Sequence, residues 1–356
     1  RLIRRQRQMC IRDSISIMDT TERDNQFFTV SVVIPAYNIG KLVARAIDSV
    51  LAQTHKADEI IVVDDGSTDD TADVIKSYGL KVRYIYQANL GLAGARNTGI
   101  MAARCEWIAF LDGDDEWLPG NLKLQVGVLR RSPELVWSAG NFHRCLCNEN
   151  RRAPHLHPQK AAKLLAQKDY FEDYFNAFMA DAVPNSDTVI IKRQILHEAG
   201  PFRSDMPFAA DIDMWFRIAM RWPKVGYVPQ PIAVYHLHRP GSLANETLVR
   251  KKMEVICDLV DRSLALAEQY NRLEKFKPCA SWYLRRCIRA YLFHAHMAPD
   301  TRNMLQRFET LFSPGYKMLI KLLTRFPQVT TTTLHMISRI VRFLNLRRRV
   351  VRRPGK

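Results

Sequence analysis

Three times between Thr29 and Asp115 a short apolar run breaks off in a polar turn. Val30, Val32, Val33 and Ile34 give way to Pro35-Ala36-Tyr37-Asn38. Ile60 to Val63 runs into Asp64-Asp65-Gly66-Ser67-Thr68-Asp69, and Trp107 to Leu111 into Asp112-Gly113-Asp114-Asp115. Runs this short and this apolar suit strands buried on both faces of a parallel sheet, with Pro35 expected to stop the first. Helical periods lie between them. Leu42, Val43, Ala46, Ile47, Val50 and Leu51 share one face; a second helix, capped by Thr68 or Asp69, is predicted to stop at Gly79; a third spans Leu92 to Arg104 after a strand from Val82 to Tyr86. Alternating strands and helices imply right-handed crossovers and an α/β fold on a mainly parallel sheet. Ligands bind such sheets beyond the carboxyl ends of the strands, so the three polar turns are predicted to converge on one crevice.

Residues 141–187, with Pro154, Pro158, Pro184 and several histidines, read as a mobile or acceptor-side insertion. Order is expected to resume at Thr188 to Ile191. A helix from Ile212 to Arg221, with Asp211 at its start, is followed by a strand from Tyr227 to Tyr235 leading to His236, His238 and Pro240-Gly241-Ser242. Beyond Asn245 the pattern is helical and basic.

The net charge of +17 is uneven: residues 251–356 carry 22 Lys and Arg against 7 Asp and Glu, residues 1–17 five against one, leaving 18–250 at −2. A near-neutral body with a basic C-terminal third fits a catalytic domain joined to an appendage for anionic surfaces, or a solvated helical face with a basic tail. Tyr316 to Arg325 and Leu334 to Arg349 alternate aliphatic and basic positions at helical spacing, as interfacial helices do, and Arg347, Arg348, Arg349, Arg352 and Arg353 add a cationic cluster. No run reaches the about 18 apolar residues a membrane span needs, and no secretory signal is evident. Seven scattered cysteines suggest no disulfide framework, which fits a reducing cytosol. Residues 1–17, without an initiating Met or a clear period, are expected to be an upstream artefact outside the fold.

Asp112 and Asp114, one residue apart in a turn, suit a divalent ion with oxygen ligands; a solvated or capping role is the alternative. His143, Cys145, Cys147, His155 and His157 match no standard zinc spacing. Trp215 and Trp222 lie on or beside a helical apolar stripe and are read as packing rather than sugar platforms.

Taken together, Val32-Val33-Ile34-Pro35-Ala36-Tyr37-Asn38, Asp64 to Asp69, Gly91-Leu92-Ala93-Gly94-Ala95-Arg96-Asn97 and Phe110 to Asp115 resemble the family-2 glycosyltransferases. The similarity is strongest over 31–120 and continues more weakly to about 245, where Asp211 to Arg217 resembles the family's acceptor-side helix. The resemblance implies a GT-A-type, Rossmann-like sheet flanked by helices; the C-terminal third is not covered by it, and the helical basic C-terminal extension rests on the charge pattern above. It implies a catalytic domain over 29–245 (29–130 for the nucleotide-sugar, 131–245 for the acceptor), which leaves a disordered or artefactual leader over 1–28 and a helical basic region over 246–356.

It further implies transfer of a sugar from a nucleotide-diphosphate-sugar to a glycan or lipid-linked hydroxyl acceptor. The transfer would be inverting, assisted by Mn²⁺ or Mg²⁺, and serve cell-envelope or exported polysaccharide synthesis. Pro35, Tyr37, Asn38, Asp65, Gly66, Arg96, Asp112 and His238 would hold the nucleotide-sugar, Asp112 and Asp114 the metal, with Asp115 beside them. Asp211 would be the base, and Asp64 would orient its turn. Where the family commonly has Glu-Asp, this chain has Ala210-Asp211. Seen singly, Tyr37 would equally roof the sheet, Arg96 pair with an acid, His238 brace a loop, and Asp213 cap a helix or face solvent. The expected setting is cytoplasmic, peripheral on the inner membrane face, with an anionic membrane surface as partner and no nucleic acid. A nucleotidyltransferase would need a Gly-rich basic loop after strand one, which is not evident; a non-catalytic membrane-surface or nucleic-acid-binding protein on a degenerate transferase fold is the other alternative.

Overall fold

The structure, a computed structural model, describes residues 28–146, 151–182, 184–237, 249–293 and 297–336. The chain divides into two compact units, residues up to 240 and residues from 241.

In the first unit the described strands form one sheet, ordered β3-β2-β1-β4-β9-β6-β10-β5, with β7 on β6 and β8 on β10. They are β1 (Val30–Ala36), β2 (Glu59–Asp64), β3 (Arg83–Tyr86), β4 (Trp107–Phe110), β5 (Glu116–Trp117), β6 (Trp137–Leu146), β7 (Arg151–Pro154), β8 (Tyr170–Phe171), β9 (Ile190–Lys192) and β10 (Val225–Leu237). From β3 to β4 all pairing is parallel, as the alternation predicts. Beyond β4 the sheet is mixed: β9 enters antiparallel between β4 and β6, while β6 and β10 are parallel. β1 does not stop at Pro35. The register continues through Pro35 opposite Val63 and Ala36 opposite Asp64, because extended backbone tolerates the proline ring.

The helices are α1 (Gly40–Leu51), α2 (Thr71–Lys76), α3 (Gly91–Ala102), α4 (Asn121–Arg131), α5 (Pro158–Leu165), α6 (Tyr174–Met179), α7 (Arg193–Ala199) and α8 (Ala210–Arg221). α2 is shorter than expected: it ends at Lys76, and Gly79, at φ +58°, opens a separate 3-10 turn. Asp69 supplies its N-terminal acceptor, Oδ1 taking the Thr71 N–H at 3.0 Å. The 141–187 segment is not irregular but folded into β6, β7, α5, β8 and α6. Its prolines sit at boundaries: Pro154 closes β7, Pro158 opens α5 and Pro184 precedes the 3-10 turn Ser186–Thr188. Phe28, the last residue of the expected leader, stacks on Trp107 with ring centroids 4.7 Å apart; residues 1–27 lie outside the described residues.

Trp215 is fully buried among Phe110, Trp137 and Phe202, a packing role; Trp222 is half-buried beneath the Arg221 guanidinium. On the same face of the sheet, where Val33 is the partner of Phe110, Gly99 of α3 lies against β1, and an added Cβ would stand 2.2 Å from Val33 Cγ1. Replacing a mid-helix glycine by alanine ordinarily stabilises by about 1 kcal/mol. Gly99→Ala should instead destabilise by about 1–3 kcal/mol through overpacking, read as a lowered urea midpoint.

The second unit is helical: α9 (Val249–Gln269), α10 (Leu273–Tyr291), α11 (Ala298–Arg307) and α12 (Pro314–Arg325). Leu259, Val260, Phe276, Cys279, Leu284, Ile288 and Met304 are buried within it. Among the described residues no helix is long and apolar enough to cross a membrane. The expected helix from Leu334 to Arg349 lies, from 337 onward, outside the described residues, as do all five arginines of the cationic cluster.

Candidate active site

The loops that leave β1 and β2 are tied together. Asn38 sits at φ +50°, a conformation asparagine tolerates better than most residues. Its N–H donates to Ser67 Oγ at 3.0 Å and its Oδ1 accepts the Thr68 N–H at 2.8 Å. Ile39 N donates to Thr71 Oγ1 and Gly40 N to Asp69 Oδ2. Asn38 is thus a brace between two turns. Tyr37 beside it is half exposed, and Pro35 is buried in β1.

Asp64 is fully buried and accepts from Ser67 N (2.9 Å) and Tyr84 Oη (2.8 Å), an orienting role. Burial and the Asp64 carboxylate push the Tyr84 phenol up to about 12. Asp65 is also buried; its Oδ1 accepts from Gln87 Nε2 (2.6 Å) and Leu90 N (2.8 Å). Gly66, at φ +81°, lets the backbone of Asn89 approach, for a Cβ there would stand 3.0 Å from its nitrogen.

After β4 the chain folds back over β1. A Cβ on Gly113 would meet the Pro35 carbonyl at 2.7 Å, so glycine is required between the acids. The turn closes through Asp115 N to Asp112 O at 2.9 Å and sends Asp112 and Asp115 inward. There they meet Asp187: carboxylate oxygens of all three lie within 4.8 Å of one another. Asp187 Oδ1 accepts the Asp112 N–H at 2.7 Å, its Oδ2 accepts Asn185 Nδ2 at 2.7 Å, and its carbonyl accepts Trp117 Nε1 at 2.6 Å. Asp115 Oδ1 accepts the His236 N–H at 2.8 Å. Burial, then the neighbouring carboxylates, hold Asp115 and Asp187 well above the usual range.

Asp114, expected to join Asp112 as a ligand, is not a member of this group. Its carbonyl accepts from Arg45 Nη2, and the inward acids are Asp112 and Asp115. Asp187 was not among the candidates. An acid beside the apolar run Val189-Ile190-Ile191 was the available signal, but it precedes its strand; antiparallel β9 brings that start next to the end of β4. The cysteines and histidines of 143–157 form no metal-ligand group among the described residues, and His155 stacks on Phe142 at 4.6 Å.

Arg96 of α3 is buried, its Nη2 2.6 Å from Asp112 Oδ1 and its guanidinium 5.5 Å above the Phe202 ring. Burial opposes its charge, but Asp112, Asp211 and Asp187 outweigh that and raise its pKa. Asp211, in the first turn of α8, is half-buried and lies in the field of Arg96. Desolvation raises its carboxyl above the ordinary value although Arg96 works the other way. Ala209, at φ +59°, makes the bend that starts this helix.

The loop 199–203 joins these two elements. Asn97 Nδ2 donates to Phe202 O and Phe202 N donates back to Asn97 Oδ1, both at 2.8 Å. Arg217 donates to the carbonyls of Ala199, Gly200 and Pro201 and pairs with buried Asp213 at 2.8 Å. Asp213 therefore neither caps a helix nor faces solvent. His238 lies outside the described residues.

A sheet parallel from β3 to β4 and mixed beyond, with acids at the end of β4 and a carboxylate opening α8, is the architecture of the GT-A glycosyltransferases. Residues 31–198 match the model of glycosyl transferase family 2, and this stretch is a domain of that family. An uncharacterized glycosyltransferase of Nostoc is 49% identical over 107 residues, 29% of this chain and 33% of the relative. One of Rickettsia conorii is 30% identical over 211 residues, 56% and 33% respectively. The chain thus spans about a third of the length of these curated relatives. Among solved structures, S. aureus TarS in complex with UDP-GlcNAc aligns with TM-score 0.64 at 16% identity, covering 85% of this chain and 88% of that one. The mannosyltransferase PcManGT of Pyrobaculum calidifontis, in complex with GDP-Man and Mn²⁺, aligns with TM-score 0.50 at 18% identity over 87% and 88%.

Proposed function

We propose that this domain transfers a sugar from a nucleotide-diphosphate-sugar to a hydroxyl acceptor with inversion at the anomeric carbon. The observation that carries the reading is that Asp211, a carboxyl raised by burial, shares the electrostatic field of Arg96 with Asp112 at the end of β4. A carboxylate of raised basicity thus stands in the same crevice as Arg96 and Asp112, the groups suited to the diphosphate side. Asp211 takes the acceptor hydroxyl proton as that oxygen attacks the anomeric carbon. The bond from that carbon to the diphosphate breaks on the opposite face, its electron pair leaving with the nucleoside diphosphate. Exposed Tyr37 offers the base a stacking face, Asp65 an acceptor for a base or ribose hydrogen, and Pro35, Asn38 and Gly66 shape the backbone around them. Arg96 holds the Asp112 carboxylate in place.

An all-oxygen donor set fits a hard divalent cation. Asp112, with a fifth of its side chain accessible, is the inward acid open to the crevice. Asp112, with Asp115 and Asp187 beside it, would hold Mn²⁺ or Mg²⁺, which would supply charge neutralisation for the departing diphosphate. Complexes of TarS with UDP-GlcNAc and of PcManGT with GDP-Man and Mn²⁺ support a donor of this class. The basic second unit supports work in the cytoplasm at an anionic membrane face, with a glycan or lipid-linked acceptor destined for the cell envelope.

Thermal melts of the full chain against a panel of nucleotide-sugars, with and without Mn²⁺, test this. One donor should raise Tm, more so with Mn²⁺, and the gain should fall in Asp112→Asn; binding to the folded state at a hundred times Kd is worth about 2.7 kcal/mol. No shift with any donor, together with no release of nucleoside diphosphate, would overturn the reading.

A further inference from the structure

We propose that α12 and the residues following it, through Met336, dock flat on an anionic lipid bilayer. Ser313 Oγ caps α12 by accepting the Tyr316 N–H, and Pro314 opens it. One side of the helix is used internally: Ile320 and Thr324 are buried. The other side is apolar and open. Met318 is 73% exposed and Leu322 57%, with Leu319 beside them; Phe326, Val329 and Met336 continue the exposed apolar residues along the helical stretch 327–336. A soluble surface rarely leaves aliphatic side chains of this size open in a row unless something covers them.

The charges identify the cover. Lys317, Lys321 and Arg325, spaced four apart, line one edge of the apolar side of α12. From residue 310 to 356 the chain has eleven Lys and Arg and no Asp or Glu. A second copy of this surface would bring like charges together, and a nucleic acid backbone would leave Met318 and Leu322 without an apolar partner. An interfacial helix with cations along an apolar strip meets both demands on an anionic leaflet, and α12 is too short to span one. The docking extends the membrane-side setting proposed above and rests on that reading only for its biological context.

The test is co-sedimentation of the purified full chain with phosphatidylcholine vesicles, with and without phosphatidylglycerol. Binding is expected to the anionic vesicles and not the neutral ones. Met318→Asp with Leu322→Asp should lower it by about tenfold or more while far-UV melts stay unchanged, since both side chains are exposed. Lys317→Glu with Lys321→Glu should weaken it most at low salt. Failure to sediment with anionic vesicles would overturn the docking. So would binding that ignores the aspartate pair, which would mean charge contact without apolar insertion, or a dimer on sedimentation equilibrium that this pair dissolves. Donor-induced Tm shifts and nucleoside diphosphate release on the same preparations separate the two ideas: a donor shift without vesicle binding removes the docking alone, and vesicle binding with neither donor shift nor nucleoside diphosphate release removes the transferase reading alone.

Discussion

Asp211→Asn should lower the transfer rate by about 10²–10⁴-fold while leaving the donor-induced thermal shift intact. The amide keeps the acceptor for the Ile212 N–H that Asp211 Oδ1 now provides at 2.9 Å, so the first turn of α8 survives the change. What is lost is the capacity to take a proton. In the parent the acid limb of kcat should lie above the ordinary aspartate range, because burial raises this carboxyl and only its ionised form is a base. The rate therefore falls as pH drops through that raised pKa, and the limb should vanish in the asparagine variant. Initial rates of nucleoside diphosphate release across pH, with donor binding measured in parallel, read both effects. A variant that binds donor and transfers at the parental rate would remove Asp211 from the mechanism.

Arg96→Met should be the most destabilising single change at the site. Its guanidinium is the cation facing Asp112, Asp187 and Asp211, and it is buried. Removing one partner of a buried pair typically costs about 3–5 kcal/mol; the partial access of Asp112 to water places this case near the lower end. The sign with pH follows. Without Arg96 the folded-state carboxyls bind protons more strongly than they do in the folded parent, so acidification through their further raised pKa values should narrow the gap to the parent. The gap should then stop closing once pH is below the values these carboxyls hold in the folded parent. Urea midpoints at neutral and mildly acidic pH measure this, and adding Asp112→Asn to Arg96→Met should recover part of the loss. A variant as stable as the parent at neutral pH would show that the pair contributes no net stability.

The strands that build the crevice could be read directly because each is an apolar run ended by a polar turn, a pattern local to a few residues. Arg96 and Asp211 came from likeness to a family, since no local pattern separates a buried arginine on α3 from an exposed one. Asp187 escaped because its proximity to Asp112 is a matter of strand direction, which hydrophobic pattern does not encode: an acid before an antiparallel strand and an acid after a parallel one reach the same edge. The choice of Asp115 over Asp114 as the inward acid depends on a turn closed by Asp115 N and on the fit of Gly113 over Pro35. The prolines of 141–187 suggested irregularity, yet they punctuate the elements there. Proline marks where an element cannot continue, and that is equally true at the first residue of a helix.

The bond from Asp112 N to Asp187 Oδ1 joins residues 75 apart and pins both ends of a long excursion to the same point of the sheet. β6 leaves and β9 returns as hydrogen-bonded neighbours, and of the described elements between them β7 pairs only with β6, whereas β8 pairs with β10 and α6 packs on Trp137 and Phe216. A chain so arranged can lengthen, shorten or exchange the portion around β7 without displacing the acids that anchor it. Sequence can then drift in one region while the acids stay under selection in another.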